Sequence, residues 1–364
     1  MWRRHYQSSG KGKDGISREI AAFLMRDVRV HDDGVEAFGG ISNMVTGPMG
    51  CGKTTLMIQL AGAVGSLPSG ISKEEYSGQG ILKPETVIWR GRRYDYWNSL
   101  VPWNWKESYP MSPLAREVRI HHHKDDTLDF FERYEEPEPI EFNGNGLSIR
   151  AYDTPDDLFN ALVPGGINVV YEPNTYYLDP EVVRQITKKT LEDLRLARLK
   201  RVNKKGRTKV EATEPVEAPS SAFWFELIEY IMKTKRQNEF YSMFIDESHQ
   251  VAPEKVPGEM WHLVGWLSNS IIDMRRNNVS LFLTTHDLKL VDYRVVDRML
   301  YFTWMPGARI YKRISQINPY TPARLVKGEF LIEGMNPMQF GLGTFNAIPN
   351  QPPVVYTEGL KAST

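Results

Sequence analysis

Residues 41–64 read ISNMVTGPMGCGKTTLMIQLAGAV, and this stretch decides the fold. It begins with a short apolar run, continues with a glycine-rich segment and ends with a second apolar run. Its middle part, residues 47–54, matches the pattern G-x-x-x-x-G-K-[ST], in which a loop between a strand and a helix binds phosphate. Strand, loop and helix occur here in the required order, so the sequence predicts a nucleotide phosphate site.

The residue types of this loop each have a physical reason. Glycines let the backbone turn tightly, so that successive N–H groups point at phosphate oxygens. Lys53 supplies a cation for the β and γ phosphates, and Thr54 offers a hydroxyl to Mg²⁺. ATP and Mg²⁺ are therefore the expected ligands. The predicted nucleotide-binding residues are Gly47, Pro48, Met49, Gly50, Cys51, Gly52, Lys53, Thr54 and Thr55.

Further apolar runs of strand length recur along the chain, and helical stretches separate several of them. The runs lie at 41–46, 86–90, 167–171, 241–245, 279–284 and 299–303, and the helical stretches at 53–64, 180–201, 221–235 and 258–276. Short continuous apolar runs are typical of buried parallel strands. Strands that alternate with helices predict an α/β fold with a mostly parallel central sheet.

Composition excludes several classes of protein. The 364 residues contain 45 basic and 45 acidic side chains, so net charge gives no argument for nucleic acid or membrane. The single cysteine, Cys51, excludes an internal disulfide framework and fits a reducing cytoplasm. It is either a small filler within the loop or a thiol whose oxidation could control the activity of the nucleotide site. No apolar run reaches the roughly 18 residues of a membrane span, and the N-terminus lacks the apolar region of a signal peptide.

The chain divides into three parts by pattern. We expect an N-terminal arm at 1–38, a P-loop domain at 39–320 and a C-terminal tail at 321–364. Within the domain, 91–165 is expected to be an irregular insertion, and about 180–220 a basic helix and linker.

Charge is distributed unevenly within that domain. Residues 125–157 contain 11 acids and 2 bases, whereas 184–209 contain 11 bases and 2 acids. The basic stretch could follow a phosphate backbone. It could equally be a solvated face paired with the acidic stretch.

An acidic pair ends one of the apolar runs, at MFIDE, residues 243–247. Asp246, at the carboxyl end of the predicted strand, is placed to hold the water shell of Mg²⁺. Glu247 could polarise the attacking water as a general base. The alternative is an exposed acidic pair that follows a core strand.

Three further residues are candidates for catalysis. Thr285 and His286 end the next predicted strand, where a polar side chain could sense the γ-phosphate; alternatively, His286 is an exposed or helix-capping histidine. Arg275 and Arg276 end the preceding helix, where cations are favoured by the helix dipole. Alternatively, one of them reaches a neighbouring subunit's site and stabilises charge in the transition state.

Adjacent histidines at 121–123 could suggest a metal site. On a strand only His121 and His123 share a face, and no nearby third ligand has a suitable spacing. The sequence therefore disfavours metal binding there.

The order of these segments resembles the FtsK–HerA superfamily of P-loop motor ATPases, which includes DNA translocases, viral genome-packaging ATPases and Zot-like phage-assembly ATPases. The segments that carry the resemblance are GPMGCGKTT at 47–55, MFIDESHQVAP at 243–253 and RRNNVSLFLTTHDLKLVDYRVVDRMLYF at 275–302. The chain departs from the family at His286, where glutamine is usual.

This resemblance implies a RecA-like P-loop NTPase that couples ATP hydrolysis to moving DNA, with a viral genome-packaging motor as the preferred form. Its implied partners are double-stranded DNA, further copies in a ring expected to be a hexamer, and viral capsid or membrane proteins. The expected location is the cytoplasm, of a host cell if the protein is viral, or the virion. A Zot-like or secretion-type ATPase is the first alternative, although a Zot-like protein should also carry a membrane span. A non-motor nucleotide-dependent scaffold is the second, and Glu247 argues against it because a pure binder needs no general base.

Overall fold

The structure, a computed structural model, describes residues 27–31, 34–66, 85–91, 118–126, 147–178, 216–218, 221–234, 239–255, 260–334 and 340–345. The strands are β1 Asp27–His31, β2 Gly34–Phe38, β3 Ser42–Thr46, β4 Thr86–Gly91, β5 Val118–His123, β6 Leu147–Tyr152, β7 Ile167–Tyr171, β8 Tyr176–Leu178, β9 Val216–Ala218, β10 Tyr241–Ile245, β11 Val279–Thr285, β12 Tyr301–Trp304, β13 Glu329–Gly334 and β14 Phe340–Thr344. The helices are α1 Lys53–Ser66, α2 Pro155–Ala161, α3 Ala222–Thr234, α4 Met260–Arg276 and α5 Tyr293–Val296.

Ten of the strands form one sheet, in the order β14-β13-β12-β3-β11-β10-β4-β7-β5-β6. The eight strands from β12 to β6 are parallel. Beyond β12 the sheet continues with β13 and β14, which pair in antiparallel orientation. The phosphate-loop strand β3 and the acidic-pair strand β10 are separated by β11. This topology confirms the predicted α/β, RecA-like fold. Because the strands are parallel, the ends of β3, β10 and β11 meet at one edge of the sheet.

Helices cover both faces of the sheet, because successive side chains of each strand point to opposite faces. Met44 packs with α3 and α4, whereas its neighbour Val45 packs with α1. On the α1 face, Trp89 stacks on Phe244 and Phe244 on Phe282 across β4, β10 and β11. The central strands are buried on both faces, which explains why they read as continuous apolar runs.

Two predicted boundaries are wrong where the structure describes them. Strands β5 and β6 lie within the predicted insertion 91–165, yet they belong to the main sheet, where β6 pairs with β5 and β5 with β7. Their sequences VRIHHH and LSIRAY are too polar to indicate buried strands. The predicted tail 321–364 contributes β13 and β14 to the same sheet. The predicted helix 180–201 lies outside the described residues.

No helix in the described part of the chain is long and apolar enough to cross a membrane.

Candidate nucleotide-hydrolysis site

The phosphate loop connects the end of β3 to the start of α1 and requires its glycines. Gly50 and Gly52 have φ angles of 77° and 97°, in the region that side chains disfavour. A Cβ atom on Gly47 would come within 2.7 Å of Met305 Cβ and 2.9 Å of Cys51 Sγ. A Cβ atom on Gly52 would come within 2.8 Å of the ring of Phe345, which follows β14. The antiparallel extension of the sheet therefore packs directly on the loop.

Lys53 is buried beneath this loop, with 6% of its surface exposed. Its Nζ donates to the carbonyl oxygens of Gly47, at 2.8 Å, and Pro48, at 2.9 Å. A third contact, at 3.1 Å, joins Nζ to Nδ1 of His286. Burial lowers the pKa of Lys53, while nearby Cys51 and the acidic pair favour its charged form. Its ammonium thus lies between the loop and the end of β11.

Asp246 connects the loop to the acidic-pair strand. Thr54 Oγ1 donates to Asp246 Oδ2 at 3.0 Å, although the two residues are 192 positions apart. The hydroxyl of Thr284 donates to the other oxygen, Oδ1, which also accepts from the backbone N–H of Glu247 at 3.1 Å. The carboxylate is 4% exposed and has a fixed orientation. Thr284 was missed by sequence reasoning, which considered only the two residues after it.

Glu247 adopts a left-handed backbone conformation, with φ 51° and ψ 57°. This conformation is uncommon for a residue other than glycine and costs on the order of 1–3 kcal/mol. The N–H of Glu247 donates to Thr284 Oγ1 at 2.9 Å, which helps to hold the turn. The strained backbone turns the Glu247 side chain toward the groups that end β11.

His286 joins Glu247 to the loop. Its Nε2 lies 3.3 Å from Glu247 Oε1, and its Nδ1 faces the ammonium of Lys53. A lysine ammonium can only donate and a carboxylate can only accept. His286 therefore carries its proton on Nε2, and this N–H donates a hydrogen bond to Glu247. Thr285 does not share this role, because its hydroxyl donates to the backbone oxygen of Asp287.

Arg90, near the end of β4, contacts the backbone of the acidic pair from the neighbouring strand. It was not singled out from the sequence. Its Nε and Nη2 donate to the two oxygens of Glu172, at 2.9 Å and 2.6 Å. Its Nη1 lies 3.3 Å from both the backbone oxygen of Asp246 and Oε1 of Gln250. The indole of Trp224 also donates to Glu172. A charged residue ending the run TVIWR was the one available signal.

Arg275 and Arg276 do not join this site. They end α4 at the amino edge of the sheet, where the backbone oxygen of Arg275 accepts from the N–H of Gly40 at 2.7 Å. The site lies at the opposite edge, beyond the five residues of β3, which span about 16 Å. The guanidinium group of Arg276 is exposed and 3.9 Å from Asp273. Within one chain, these arginines are separate from the nucleotide site.

The weaker candidates are structural. Burial raises the pKa of the Cys51 thiol, which disfavours the reactive thiolate. His121 is fully buried, with its Nε2 3.0 Å from Asn168 Oδ1, and burial lowers its pKa to about 4. No group of three or more metal-ligating side chains occurs among the described residues.

The site is suited to Mg²⁺ bound together with phosphates. Mg²⁺ prefers oxygen ligands and usually keeps several waters, with one or two protein groups and substrate phosphates completing its shell. The oxygens of Thr54 and Asp246, 3.0 Å apart beside the phosphate loop, fit this requirement.

Comparison with known proteins gave similarities of structure only. No protein-family profile and no curated protein sequence matched the chain. The genome packaging NTPase B204 from Sulfolobus turreted icosahedral virus 2, solved with AMPPCP, is similar over 85% of this chain and 99% of its own, with 10% identity and a TM-score of 0.39. The pCW3 conjugation coupling protein TcpA is similar over 92% of this chain and 67% of its own, with 10% identity and a TM-score of 0.34. The EccC ATPases 2 and 3 of Thermomonospora curvata, solved with a signal sequence peptide, are similar over 85% of this chain and 37% of their own, with 9% identity and a TM-score of 0.33.

One of them, B204, is by its name a viral genome packaging NTPase. At this identity and these TM-scores, we base the function of the chain on the geometry of its own site.

Proposed function

We propose that this protein is an ATPase that uses ATP hydrolysis to move DNA, and that genome packaging is its specific role. The observation that carries the hydrolase part is the convergence of five side chains at the carboxyl edge of the sheet. They are Lys53, Thr54, Asp246, Glu247 and His286. Hydrogen bonds connect these residues, and the one between Asp246 and Glu247 is donated by the backbone N–H of Glu247.

Each of these residues has a role that follows from its position. Lys53 binds the β and γ phosphates when ATP enters the loop, in exchange for the carbonyl oxygens that it now contacts. Thr54 and Asp246 would hold Mg²⁺, which neutralises charge on the phosphates when bound. Glu247 accepts a proton from the attacking water. His286 donates to one oxygen of that carboxylate and also contacts Lys53. A shift of Lys53 on ATP binding can therefore change the position of the Glu247 carboxylate.

A basic surface beside the site supports DNA as the partner. Residues 306–328, within the connection between β12 and β13, contain five basic and no acidic residues. Arg309, Lys312, Arg313, Arg324 and Lys327 are all exposed, and two of them also pair with acidic residues, Arg309 with Asp287 at 3.7 Å and Arg313 with Asp297 at 2.6 Å. Clustered cations bind the phosphate backbone of DNA through charge and counterion release. The predicted basic segment at about 180–220 is a second candidate for the same role.

This basic connection is also joined to the hydrolysis site. The hydroxyl of Tyr311 donates to Oδ1 of Asp287 at 2.5 Å, and Asp287 directly follows His286. A Cβ atom on Gly307 would come within 3.3 Å of the Pro48 ring in the phosphate loop. A load on 306–328 could therefore reach both the loop and His286, which is what a DNA motor requires.

The arginine pair supports a ring as the active form. An arginine at the edge opposite its own site can stabilise the transition state only in another copy of the chain. We propose that Arg275 or Arg276 has this role, in a homo-oligomeric ring for which a hexamer is expected.

The test is the rate of ATP hydrolysis with and without double-stranded DNA, together with the mass of the particle in solution. We expect turnover that depends on Mg²⁺, rises with DNA and belongs to an oligomer, and we expect Lys53→Ala to abolish it. A wild-type protein without turnover would contradict the hydrolase assignment. Turnover that ignores DNA would contradict the DNA motor and favour virion assembly or protein export.

A companion experiment examines the basic surface. Arg324→Gln together with Lys327→Gln should weaken DNA binding and flatten its salt dependence, by a slope of about 0.9 for each phosphate that is no longer neutralised. The matched comparison is Lys188→Gln with Lys189→Gln in the predicted basic helix. Unchanged DNA affinity across a salt titration for both pairs would contradict a role for these two basic segments in DNA binding.

A further inference from the structure

Glu247 is contacted on its second oxygen by a side chain that the proposed mechanism has not used. Gln250 Nε2 donates to Glu247 Oε2 at 3.0 Å, while His286 holds Oε1. Gln250 belongs to the short 3-10 turn Ser248–Gln250 that follows the acidic pair. Its backbone N–H donates to the carbonyl oxygen of Glu247 at 2.9 Å, which closes the turn. The glutamine therefore lies where it can hold the carboxylate of the base.

The orientation of the Gln250 amide is fixed by chemistry. Arg90 Nη1 faces Gln250 Oε1 at 3.3 Å, and a guanidinium can only donate. The carboxylate on the other side can only accept, so the NH₂ group must face Glu247. A flipped amide would place its oxygen against the carboxylate and its NH₂ against the guanidinium, and neither hydrogen bond could form. Arg90 thus determines which end of Gln250 faces the base.

Arg90 is itself a firm anchor. Its side chain is 4% exposed and makes a two-point ion pair with Glu172. Its third contact is the backbone oxygen of Asp246. Two-point arginine–carboxylate pairs fix geometry as well as charge. The chain of contacts from Glu172 through Arg90 and Gln250 therefore ends on the catalytic carboxylate and starts from the rigid strands β4 and β7.

We propose that Gln250, oriented by Arg90, is a positioning residue that holds Glu247 in the geometry needed to accept a proton from water. This inference rests on the proposed hydrolysis of ATP and deepens it. Glu247 has a left-handed backbone and several rotatable bonds, so its carboxylate needs support on both oxygens. His286 connects the base to the phosphate loop, and Gln250 connects it to the sheet. In this proposal Arg90 acts through Gln250, and Gln250 acts through Glu247.

The first experiment compares Gln250→Ala with Gln250→Glu. Misplacing a catalytic group by about 1 Å can cost on the order of 10²-fold. We expect kcat to fall by about 10- to 100-fold in both variants, with little change in KM or in the affinity for a non-hydrolysable ATP analogue. Gln250→Glu keeps an acceptor for Arg90 but turns a carboxylate toward Glu247. It should therefore retain the wild-type melting temperature while losing turnover, which a purely structural role for Gln250 would not produce.

A matched control is Glu254→Ala. Glu254 is exposed, lies four residues beyond Gln250, and contacts Leu290 through its backbone N–H. Its loss should leave kcat within about twofold of wild type. Equal kcat for wild type, Gln250→Ala and Glu254→Ala would overturn the inference and leave the proposed function intact. A wild type without turnover would instead overturn both.

The second experiment asks whether Gln250 acts through Glu247. In the Glu247→Gln background, single-turnover rates should be the same with and without Gln250→Ala, because no base remains to be positioned. An additional loss of tenfold or more in that background would overturn the inference.

The Arg90 anchor is tested with its partner, because removing it alone leaves Glu172 without its cation. Arg90→Met with Glu172→Gln removes both charges and keeps an acceptor for the indole of Trp224. We expect a loss of kcat similar to that of Gln250→Ala, and no further loss when Gln250→Ala is added. Wild-type kcat in the folded double variant would show that Gln250 needs no anchor, and would overturn the assignment of Arg90.

Discussion

The two ends of the central strands, which form the carboxyl and amino edges of the sheet, carry different kinds of polar residue. At the carboxyl edge, Lys53, Asp246 and Glu247 lie within one hydrogen-bonded group with the residues that end β11. At the amino edge, Arg275 and Arg276 are exposed, and the backbone oxygen of Arg275 accepts from the N–H of Gly40, two residues before β3. Residues that act within one chain are assembled by the fold itself. We propose that the arginines act on another chain, and residues with such a role have to be exposed on the surface.

The comparison predicts its largest effect at Lys53. Lys53→Ala removes the cation that connects the phosphate loop to His286, so ATP binding and turnover should be lost while the fold remains. Calorimetry with a non-hydrolysable ATP analogue, and circular dichroism for the fold, provide the measurement. Unchanged affinity for the analogue together with unchanged turnover would contradict the assignment of the nucleotide site to the carboxyl edge of the sheet.

The next effect separates the two members of the acidic pair. Glu247→Gln should bind ATP normally and turn it over about 10²–10⁴-fold more slowly, because only the general base is lost. Asp246→Asn should instead weaken binding that depends on Mg²⁺, because Asp246 faces Thr54. Analogue titrations with and without Mg²⁺ distinguish the two variants. The same modest defect in both would contradict the division of roles.

A smaller effect is expected from His121, a buried histidine away from both edges. Its pKa is about 4 in the folded chain and about 6.5 when unfolded, so the unfolded state binds more protons between these values. The contribution of His121 to the free energy of unfolding is therefore complete above about pH 6.5. This share falls as the pH drops toward 4, by up to about 3 kcal/mol.

Denaturant unfolding from pH 4.5 to 7 measures this share in wild type and in His121→Gln, which cannot titrate. The variant should lose less stability than wild type as the pH falls. Parallel curves for the two proteins would show that His121 does not titrate as the fold predicts.

The smallest effect concerns the stability of the packing at the amino edge. A Cβ atom on Gly40 would come within 1.9 Å of the backbone oxygen of Val279, so Gly40→Ala must displace β3 from β11. Overpacking of this kind typically costs about 1–3 kcal/mol. Thermal unfolding checks it against Arg276→Ala, an exposed change at the same edge that should stay within about 0.5 kcal/mol. Equal melting temperatures for the two variants would contradict the close packing at this edge.

The sequence predicted the central strands well and the flanking ones poorly, for a physical reason. Strands β7 and β10 have the predicted bounds, because strands buried on both faces read as continuous apolar runs. Strands β5 and β6 carry polar side chains such as His121, whose buried partner Asn168 lies 47 residues away. A pairing over that distance leaves no local pattern.

The site shows the same division. Lys53, Thr54 and the acidic pair follow from short motifs whose spacing reflects local chemistry. Thr284 and Arg90 could not be identified in this way, because their contacts depend on strand order. Gln250 lies only three residues after Glu247, but its contact with Arg90 depends on strand order as well. Arg90, for example, meets the acidic pair only because β4 lies beside β10.

The most direct test of the difference between the two edges mixes two inactive variants. A subunit with Arg275→Ala and Arg276→Ala keeps its base, and a subunit with Glu247→Gln keeps its arginines. Each alone should bind ATP and hydrolyse it far more slowly, since arginine fingers are worth about 10³–10⁵ in rate in well-studied cases. Co-assembly is checked by pulling down one tagged variant with the other.

In a mixed ring, some interfaces join an intact Glu247 to an intact arginine of the neighbouring copy. We therefore predict that turnover partly returns on mixing, in proportion to the fraction of such interfaces. Turnover that stays at the level of the separate variants, in subunits that do co-assemble, would contradict action across the interface. The arginines would then be local cations at the end of α4.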